Sequence, residues 1–290
     1  MVNELYPFDG KYIELGDLSY HYLDEGAGDP VVMLHGNPTW SFYYRNLVLA
    51  LRDSWRCIVP DHIGCGYSDK PGDDKYEYTL ERRVDDLEAL LDHLGITENI
   101  TLVLHDWGGM IGMAYATRHP ERIRRFVIMN TSAFSLPKNK PFPWPLWLVR
   151  NTAFGAFLVR RFNAFSAIAS AVCVKQPLDP AISAMYRMPY DSWDNRIATL
   201  RFVQDIPLRP GDKSYPIVRE VEEHVQQFAN HPMLICWGMK DFVFSHHFLD
   251  LWTAHFPRAR VHRFDRCGHY VLEDAKIEII SLVRDFLKST

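Results

Sequence analysis

The residues of this chain that could do chemistry begin with an aspartate between a predicted buried strand and a glycine-rich turn. The segment from Thr101 to Gly112 reads TLVLHDWGGMIG, and a helix of small residues is predicted over 110–117. A side chain at such a strand-to-helix turn projects above the sheet, because the glycines let strand and helix approach closely. We therefore predict that Asp106 is a nucleophile. An aspartate here could instead cap the helix, and the segment alone does not separate the two.

A histidine and a second aspartate follow later predicted strands, where they could serve such a nucleophile. His269 follows the last strand in the segment CGHY, and Asp241 follows the preceding strand in WGMKD. The chain order Asp106, Asp241, His269 is that of nucleophile, acid and histidine in one class of catalytic triads. We predict that Asp106 displaces a leaving group at carbon and forms an alkyl ester. His269, oriented by Asp241, would activate the water that hydrolyses this ester.

Two backbone N–H groups beside the predicted nucleophile could stabilise the oxyanion of that hydrolysis. Trp107 follows Asp106 directly, and Asn37 lies in the turn HGNP after the first central strand. The same architecture places its second oxyanion donor after that strand. The alternatives are that Trp107 is a core residue and that Asn37 only shapes the turn.

The elements that must position these residues are predicted from hydrophobic periodicity. Short runs of Val, Ile and Leu alternate with segments of helical period, which indicates an α/β protein with a mostly parallel central sheet and helices on both faces. The predicted strands are 31–35, 57–60, 101–105, 126–129, 233–237 and 261–264, after an opening hairpin over 11–24. One-faced helices are predicted over 80–94, 215–228 and 271–287.

A long insertion interrupts this alternation between Met129 and Met233. It opens with Pro137, Pro141, Pro143 and Pro145 and is rich in Phe, Trp and Tyr. Prolines break strands, and aromatic side chains can line an apolar surface over a site. We predict a core domain of 1–130 and 213–290 and an inserted helical cap of 131–212.

Composition and spacing exclude several classes of function. The net charge is −4 and Lys and Arg are scattered along the sequence, so no nucleic-acid partner is expected. The chain lacks a secretory signal pattern and a run of about 18 apolar residues, so we expect no membrane span and a cytoplasmic location. Five widely spaced cysteines are expected to be buried free thiols. No metal or other cofactor is expected, because no histidine pair has metal-binding spacing with a glutamate and the dinucleotide fingerprint fails at Asp69.

Three segments resemble the haloalkane dehalogenases of the α/β-hydrolase superfamily, and the similarity spans nearly the whole chain. They are HGNPTWSFYYRNL from His35, DHIGCGYSDKP from Asp61 and LVLHDWGG from Leu102. The resemblance implies the α/β-hydrolase fold and a halide held by the indole N–H of Trp107 and the side-chain amide of Asn37. Both are neutral donors, which hold a halide without the strong grip of a buried cation.

The leading prediction is therefore a haloalkane dehalogenase. Its partners would be a small apolar substrate, water and a halide ion, and its product an alcohol. Members of this family place the acid after either the sixth or the seventh strand. The sixth strand here ends in IMNT without a carboxylate, so the resemblance assigns the acid to Asp241.

Two alternatives within the same superfamily stay open. The segments 190–215 and 237–244 look equally like the olefin-forming β-lactone decarboxylases, in which Asp106 would attack a strained lactone to yield a cis-alkene and carbon dioxide. Epoxide hydrolases share the HDWGG elbow but use two cap tyrosines to protonate the epoxide. Tyr186, Tyr190 and Tyr215 permit that chemistry, whereas Asn37 and Leu104 argue against it. A non-catalytic receptor is disfavoured because the triad is intact.

Overall fold

A computed structural model describes residues 2–290 and joins the predicted strands in one eight-stranded sheet. The strands are β1 (Lys11–Leu15), β2 (Leu18–Glu25), β3 (Pro30–Leu34), β4 (Arg56–Pro60), β5 (Ile100–Asp106), β6 (Ile123–Thr131), β7 (Met233–Gly238) and β8 (Arg260–Phe264). Their order across the sheet is β1-β2-β4-β3-β5-β6-β7-β8. Only β2 pairs antiparallel, with β1 and β4, and all other pairs are parallel. The predicted α/β class with a mostly parallel sheet is confirmed.

Helices cover both faces of the sheet. They are α1 (Val2–Leu5), α2 (Arg45–Leu51), α3 (Leu80–His93), α4 (Trp107–Arg118), α5 (Trp144–Asn151), α6 (Ala153–Phe162), α7 (Ala164–Val172), α8 (Pro180–Arg187), α9 (Ile197–Gln204), α10 (Tyr215–His224), α11 (His246–His255), α12 (Val271–Asp274) and α13 (Lys276–Ser289). Buried side chains of α3, α4, α10 and α11 pack on one face, and those of α2, α12 and α13 on the other.

The central strands are buried on both faces, which explains their continuous apolar runs. In β3, Val32 and Leu34 join one apolar cluster, whereas Val31 and Met33 join the cluster on the opposite face. Successive side chains of a strand point to opposite faces, so a strand covered on both sides needs apolar residues at every position. This arrangement leaves the carboxyl ends of the strands as the place for polar chemistry.

The long connection from β6 to β7 is helical, as expected. It contains α5 to α9 and then α10, with short 3₁₀ helices at Met188–Tyr190, Asp194–Arg196 and Val225–Phe228. The separation of 131–212 as a cap domain stays a prediction.

Two helix predictions differ from the structure. The closing helix is broken at Ala275, whose φ of −128° and ψ of 39° are not helical. The break lets the Asp274 carboxylate accept hydrogen bonds from the N–H groups of Gly268 at 2.7 Å and Lys175 at 2.8 Å. The helix that starts at Tyr215 ends at His224 and continues as a 3₁₀ turn.

Candidate active site

Asp106 lies at the junction of β5 and α4 in a backbone conformation that L-residues rarely adopt. Its φ is 52° and its ψ is −125°. A Cβ at Gly108 would collide with the carbonyl oxygen of Leu34, and a Cβ at Gly36 would collide with the Asp106 carboxylate. Only glycine at both positions therefore lets α4 and the HGNP turn approach the strand end. A non-glycine residue held at positive φ carries strain that the surrounding packing must enforce.

The structure excludes the helix-capping role for Asp106, because its side chain makes no capping hydrogen bond. Its Oδ2 instead accepts a hydrogen bond from the backbone N–H of Asn37 at 2.7 Å. The Thr131 hydroxyl donates to the Asp106 carbonyl oxygen and fixes the peptide behind the carboxylate. The carboxylate is thus held from the backbone and aimed away from the helix.

Burial sets the acidity of this carboxyl group. Asp106 is 8% exposed, and its burial raises its pKa to about 6. The charge of His269 and the backbone N–H groups of Asn37 and Trp107 act in the opposite direction. A buried carboxylate with few hydrogen-bond donors is poorly solvated, and poor solvation favours attack on carbon.

The three residues predicted as a triad come together at the carboxyl edge of the sheet. His269 Nδ1 lies 2.8 Å from Asp241 Oδ2, and its Nε2 lies 4.0 Å from Asp106 Oδ2. Burial lowers the pKa of His269, but the Asp241 and Asp106 carboxylates outweigh it and the pKa is raised. The imidazole therefore lies between two carboxylates, with one edge facing each.

Asn130, which the sequence reasoning did not select, connects the acid to the neighbouring strand. Its amide donates to Asp241 Oδ2 and to the carbonyl oxygen of Gly238, both at 3.0 Å, and accepts from the Gly238 N–H at 2.7 Å. Its φ of 30° is another positive value. Asn130 lies at the carboxyl end of β6, next to β7, the strand that precedes Asp241. A polar residue at the end of a predicted strand is the sequence feature that could have identified it. The N–H groups of Val243 and Phe244 bind the other Asp241 oxygen.

His105 supports the loop that carries His269 from inside the core and was also not predicted. Its Nε2–H donates to the carbonyl oxygen of His269 at 2.9 Å, and its ring stacks on Tyr43 with centroids 4.4 Å apart. Burial keeps the pKa of His105 well below its ordinary value. A neutral imidazole can hold this loop without adding a charge beside the triad.

Two neutral donors, Asn37 and Trp107, line the space in front of Asp106. One amide hydrogen of Asn37 is used by the carbonyl oxygen of Thr199 at 3.0 Å, which leaves the second available. The indole N–H of Trp107 has no acceptor among residues 2–290. The indole packs against Phe202, with centroids 5.3 Å apart, so its orientation is set by packing. The two side chains can therefore receive an anion that leaves the carbon under attack.

The carboxylate opens into a cavity of about 620 Å³ whose walls are almost entirely apolar. Asn37, Asp106, Trp107 and His269 form its polar end, and the helices α5 to α7 supply much of the apolar wall. The cavity therefore fits a substrate dominated by hydrocarbon.

Lys140 is the one cationic side chain on the wall described. Its ammonium donates to the carbonyl oxygen of Phe242 at 3.3 Å, and burial lowers its pKa. It thereby ties the start of the insertion to the loop after Asp241.

The tyrosines considered for epoxide opening do not line this cavity. The Tyr186 hydroxyl binds Glu273, and the Tyr190 hydroxyl donates to the carbonyl oxygen of Thr39 at 3.5 Å. The described lining contains no phenol close to Asp106 that could protonate an epoxide oxygen.

Within residues 2–290 the structure has no cluster of His, Cys, Asp and Glu side chains that could hold a metal ion. All five cysteines are free and buried, as predicted. No helix in the described part of the chain is both long and apolar enough to cross a bilayer.

Known proteins share both sequence and fold with this chain. A cis-3-alkyl-4-alkyloxetan-2-one decarboxylase of Shewanella oneidensis is 59% identical, over 100% of this chain and 92% of that protein. The protein of the same name from Xanthomonas campestris is 46% identical, over 98% of this chain and 97% of that protein. The crystal structure of the haloalkane dehalogenase DatA from Agrobacterium tumefaciens C58 matches with a TM-score of 0.86 and 25% identity, over 97% of this chain and 96% of that one.

These likenesses favour one of the alternatives left open above. The identity to the lactone decarboxylases is about twice that to the dehalogenase structure, so they support the lactone alternative better than the leading dehalogenase prediction. The family model described as alpha/beta hydrolase fold matches residues 29–276. The chain belongs to the alpha/beta hydrolase fold family.

Proposed function

We propose that this protein is a β-lactone decarboxylase, which converts a cis-3,4-dialkyl oxetan-2-one into a cis-alkene and carbon dioxide. The observation that carries the proposal is the 59% identity, over the whole chain, to the decarboxylase of Shewanella oneidensis. The site is compatible with this substrate, because a buried carboxylate faces an apolar cavity that can hold two alkyl arms. Release of ring strain supplies driving force that an unstrained ester would lack.

In the first step, an oxygen of Asp106 attacks C4 of the lactone, the alkyl-bearing ring carbon that is bonded to the ring oxygen. The bond between this carbon and the ring oxygen breaks, and its electron pair stays on that oxygen. The products are an alkyl ester on Asp106 and a carboxylate on the neighbouring carbon. In the proposed step the free N–H groups of Asn37 and Trp107 bind the new carboxylate, as they would bind a departing halide.

In the second step, the new carboxylate leaves as carbon dioxide. The electron pair of the broken carbon–carbon bond forms the alkene, and the ester oxygen returns to Asp106 with its own pair. No water is consumed and Asp106 is regenerated. The imidazole of His269, whose Nε2 lies 4.0 Å from Asp106 Oδ2, faces the carboxylate that reappears.

The two steps preserve the geometry of the substrate. Attack from the rear inverts the ring carbon, and elimination with the two leaving groups anti to each other then gives the cis-alkene from the cis-lactone. Rear attack leaves the Asp106 ester oxygen and the new carboxylate anti to each other, so the elimination needs no rotation about the bond between the two carbons. Packing of both alkyl arms against the apolar wall would keep this arrangement between the steps.

A haloalkane dehalogenase is the second candidate, and the free N–H groups of Asn37 and Trp107 favour it. In that reaction Asp106 displaces a halide, and water activated by His269 hydrolyses the ester. Alkylation removes the negative charge of Asp106, which is one cause of the raised pKa of His269. Loss of this charge lowers the pKa of His269, so the imidazole would be held more readily in the neutral form that accepts a proton from water.

A direct comparison of substrates tests the proposal. The purified chain is given a cis-3,4-dialkyl β-lactone and, separately, a bromoalkane of similar length, with alkene and bromide measured. We expect alkene from the lactone and little bromide, and no alkene from the Asp106→Asn variant. Bromide release across a panel of bromoalkanes, without alkene from the lactone, would transfer the assignment to the dehalogenases.

Labelled water distinguishes the two fates of the Asp106 ester. After many turnovers in H₂¹⁸O, hydrolysis of the ester leaves ¹⁸O in the Asp106 carboxylate, whereas decarboxylative elimination leaves it unlabelled. Mass spectrometry of the peptide that contains Asp106 reads the difference. For the same reason, replacement of His269 by Phe should accumulate an adduct on Asp106 with a bromoalkane. With the lactone it should slow the second step, in which His269 faces the carboxylate that reappears, and the product should still be the alkene.

A further inference from the structure

The helices α5, α6 and α7 expose an unusual number of large apolar side chains. Each helix presents a pair spaced three or four residues apart, which places the pair on one face. The exposed residues are Trp144 and Trp147 on α5, Phe154 and Phe157 on α6, and Ile168 and Val172 on α7, with Phe162 at the end of α6. The three helices pack in sequence, α5 against α6 and α6 against α7. We call this surface the aromatic face.

The cavity of the active site opens within the aromatic face. Trp144, Ile168 and Val172 line the cavity and are also 75%, 58% and 43% exposed. Phe242, on the loop after the triad acid, shares both properties at 46% exposure. Side chains that face both the cavity and the solvent form its rim. An apolar substrate that enters the cavity here comes directly from the medium that contacts the aromatic face.

The charge of the same segment is strongly positive, although the whole chain has a net charge of −4. Residues 131–178 contain six Lys and Arg residues and no Asp or Glu. Arg150 and Arg160 are paired with Asp212 at 2.8 Å and Asp194 at 3.7 Å. The exposed Lys138, Arg161 and Lys175 have no ion pair among residues 2–290.

These free cations lie beside the aromatic face. Arg161 lies 5.5 Å from the ring centroid of Phe162. In the sequence, Lys138 stands between Leu136 and Lys140, and Lys175 stands two positions after Cys173. Leu136, Lys140 and Cys173 all line the cavity. Exposed aromatic residues combined with unpaired cations complement a surface that has anionic groups on its outside and an apolar layer beneath them. A bilayer with acidic headgroups has this composition.

We propose that the aromatic face docks the protein on an anionic lipid bilayer, with the cavity mouth turned towards the hydrocarbon. The occupant is a membrane surface and not a transmembrane path, because no helix in the described part can span a bilayer. Exposed Trp and Phe side chains insert at the headgroup level, and the three cations bind the acidic headgroups. Hydrocarbon substrate and product then exchange with the bilayer without crossing water. The inference does not depend on whether the leaving group is a carboxylate or a halide.

Vesicle flotation of the full chain tests docking. Vesicles of phosphatidylcholine mixed with phosphatidylglycerol are compared with vesicles of phosphatidylcholine alone. We expect the protein to float with the mixed vesicles, less with the neutral ones, and less again at salt on the order of 1 M, where exposed charges are screened.

Two sets of variants locate the binding surface. Trp147→Ser, Phe154→Ser and Phe162→Ser combined avoid the cavity wall and should weaken flotation on the order of tenfold or more. Lys138→Glu, Arg161→Glu and Lys175→Glu combined should abolish the preference for phosphatidylglycerol.

Matched controls change exposed residues elsewhere. The apolar control combines Tyr12→Ser, Leu49→Ser and Ile277→Ser, and the charge control combines Lys276→Glu, Arg284→Glu and Lys288→Glu. Both should float like the unchanged chain, and thermal unfolding of every variant checks its fold. No flotation with either vesicle type, or equal loss in the controls, overturns the proposal. Self-association that the aromatic variant abolishes, without flotation, would assign the face to a second copy of the chain.

Discussion

A single residue, Asp106, combines three properties, each of which lowers the stability of the folded chain. Its backbone has positive φ, its carboxylate is 8% exposed, and its pKa is raised to about 6 by burial. Strain projects the carboxylate above the sheet, and burial keeps water from solvating it. The proposed reaction uses the resulting poorly solvated charge. In that reaction the neighbouring donors, Asn37 and Trp107, would bind the charge that develops on the leaving group.

Replacement of Asp106 by Asn is expected to stabilise the fold at high pH. The raised pKa means that the folded state holds a proton that the unfolded chain loses, so stability falls as pH rises from about 4 to about 6. Above pH 6 a shift of this size costs about 2–3 kcal/mol, and the variant avoids that cost. Urea unfolding at pH 5 and pH 8 measures the difference in the free energy of unfolding between the variant and the unchanged chain. We expect the variant to be the more stable at pH 8, by a margin that is smaller at pH 5. The exposed Asp53→Asn should show neither effect, and an equal gain at both values of pH would contradict the argument.

At the scale of elements, the site is assembled from the ends of five neighbouring strands. Asn37 follows β3, Asp106 ends β5, Asn130 lies in β6, Asp241 follows β7 and His269 follows β8. Parallel strands bring all of these ends to the same edge of the sheet. The adjacency of β6 and β7 explains why the Asn130 amide can donate a hydrogen bond to Asp241.

An exchange of Asn130 and Asp241 tests this adjacency. Asp241→Asn alone should lower turnover by roughly a thousandfold or more, because the imidazole loses its partner charge. Adding Asn130→Asp should restore turnover by about tenfold or more, since the new carboxylate lies one hydrogen bond away. Steady-state kinetics and the pH profile of the pair provide the measurement. Asn130→Asp alone is the control. An exchanged pair no better than Asp241→Asn would show that the strand end at β6 cannot supply the acid.

The contact between α4 and the sheet gives a second prediction at this scale. Gly108→Ala improves helix propensity, by about 1 kcal/mol, yet its Cβ would collide with the backbone oxygen of Leu34. Because backbone cannot move aside, we expect a net loss of about 2–4 kcal/mol in the free energy of unfolding. Gly211→Ala meets nothing within 4 Å and should change stability by less than about 0.5 kcal/mol. A neutral or stabilising Gly108→Ala would show that the elbow has room to relax.

At the scale of the whole molecule, the helices between β6 and β7 enclose the carboxylate of Asp106. They close the apolar wall over Asp106, and α9 takes part directly, since the Thr199 carbonyl oxygen binds the Asn37 amide at 3.0 Å. Segments far apart in the sequence therefore share one polar end of the cavity. We therefore expect the insertion to set the length of the substrate and the residues at the strand ends to set the reaction.

A larger side chain in the cavity should separate the effect of the insertion on substrate length from the effect of the strand-end residues on the reaction. Ala169 on α7 lines the wall, so Ala169→Trp shortens the space available to an alkyl arm. We expect kcat/KM to fall by roughly tenfold or more for long-chain β-lactones and to change little for short ones. Ala167→Trp, on the same helix but outside the wall, is the control. An equal loss for all chain lengths would indicate damage to the triad and not to the wall.

The sequence by itself determined the class of the fold, most strand positions and the residues that meet at the site. Those features follow from local patterns: apolar runs, glycines at the elbow, and polar residues after strands. Asn130, His105 and Lys140 were not found this way, because their roles arise only from contacts between segments distant in the sequence. Ala275 likewise interrupts a good helical pattern so that Asp274 can bind Gly268.

Tertiary structure alone decided which surroundings these residues have. It removed the capping alternative for Asp106 and kept Tyr186 and Tyr190 away from the cavity. It also placed the cavity mouth within the aromatic face. Acidity, enclosure and accessibility depend on what packs around a side chain, and packing is a property of the folded chain as a whole. In both proposed reactions the leaving group would contact the same residues, Asn37 and Trp107, so the substrate assays distinguish the two.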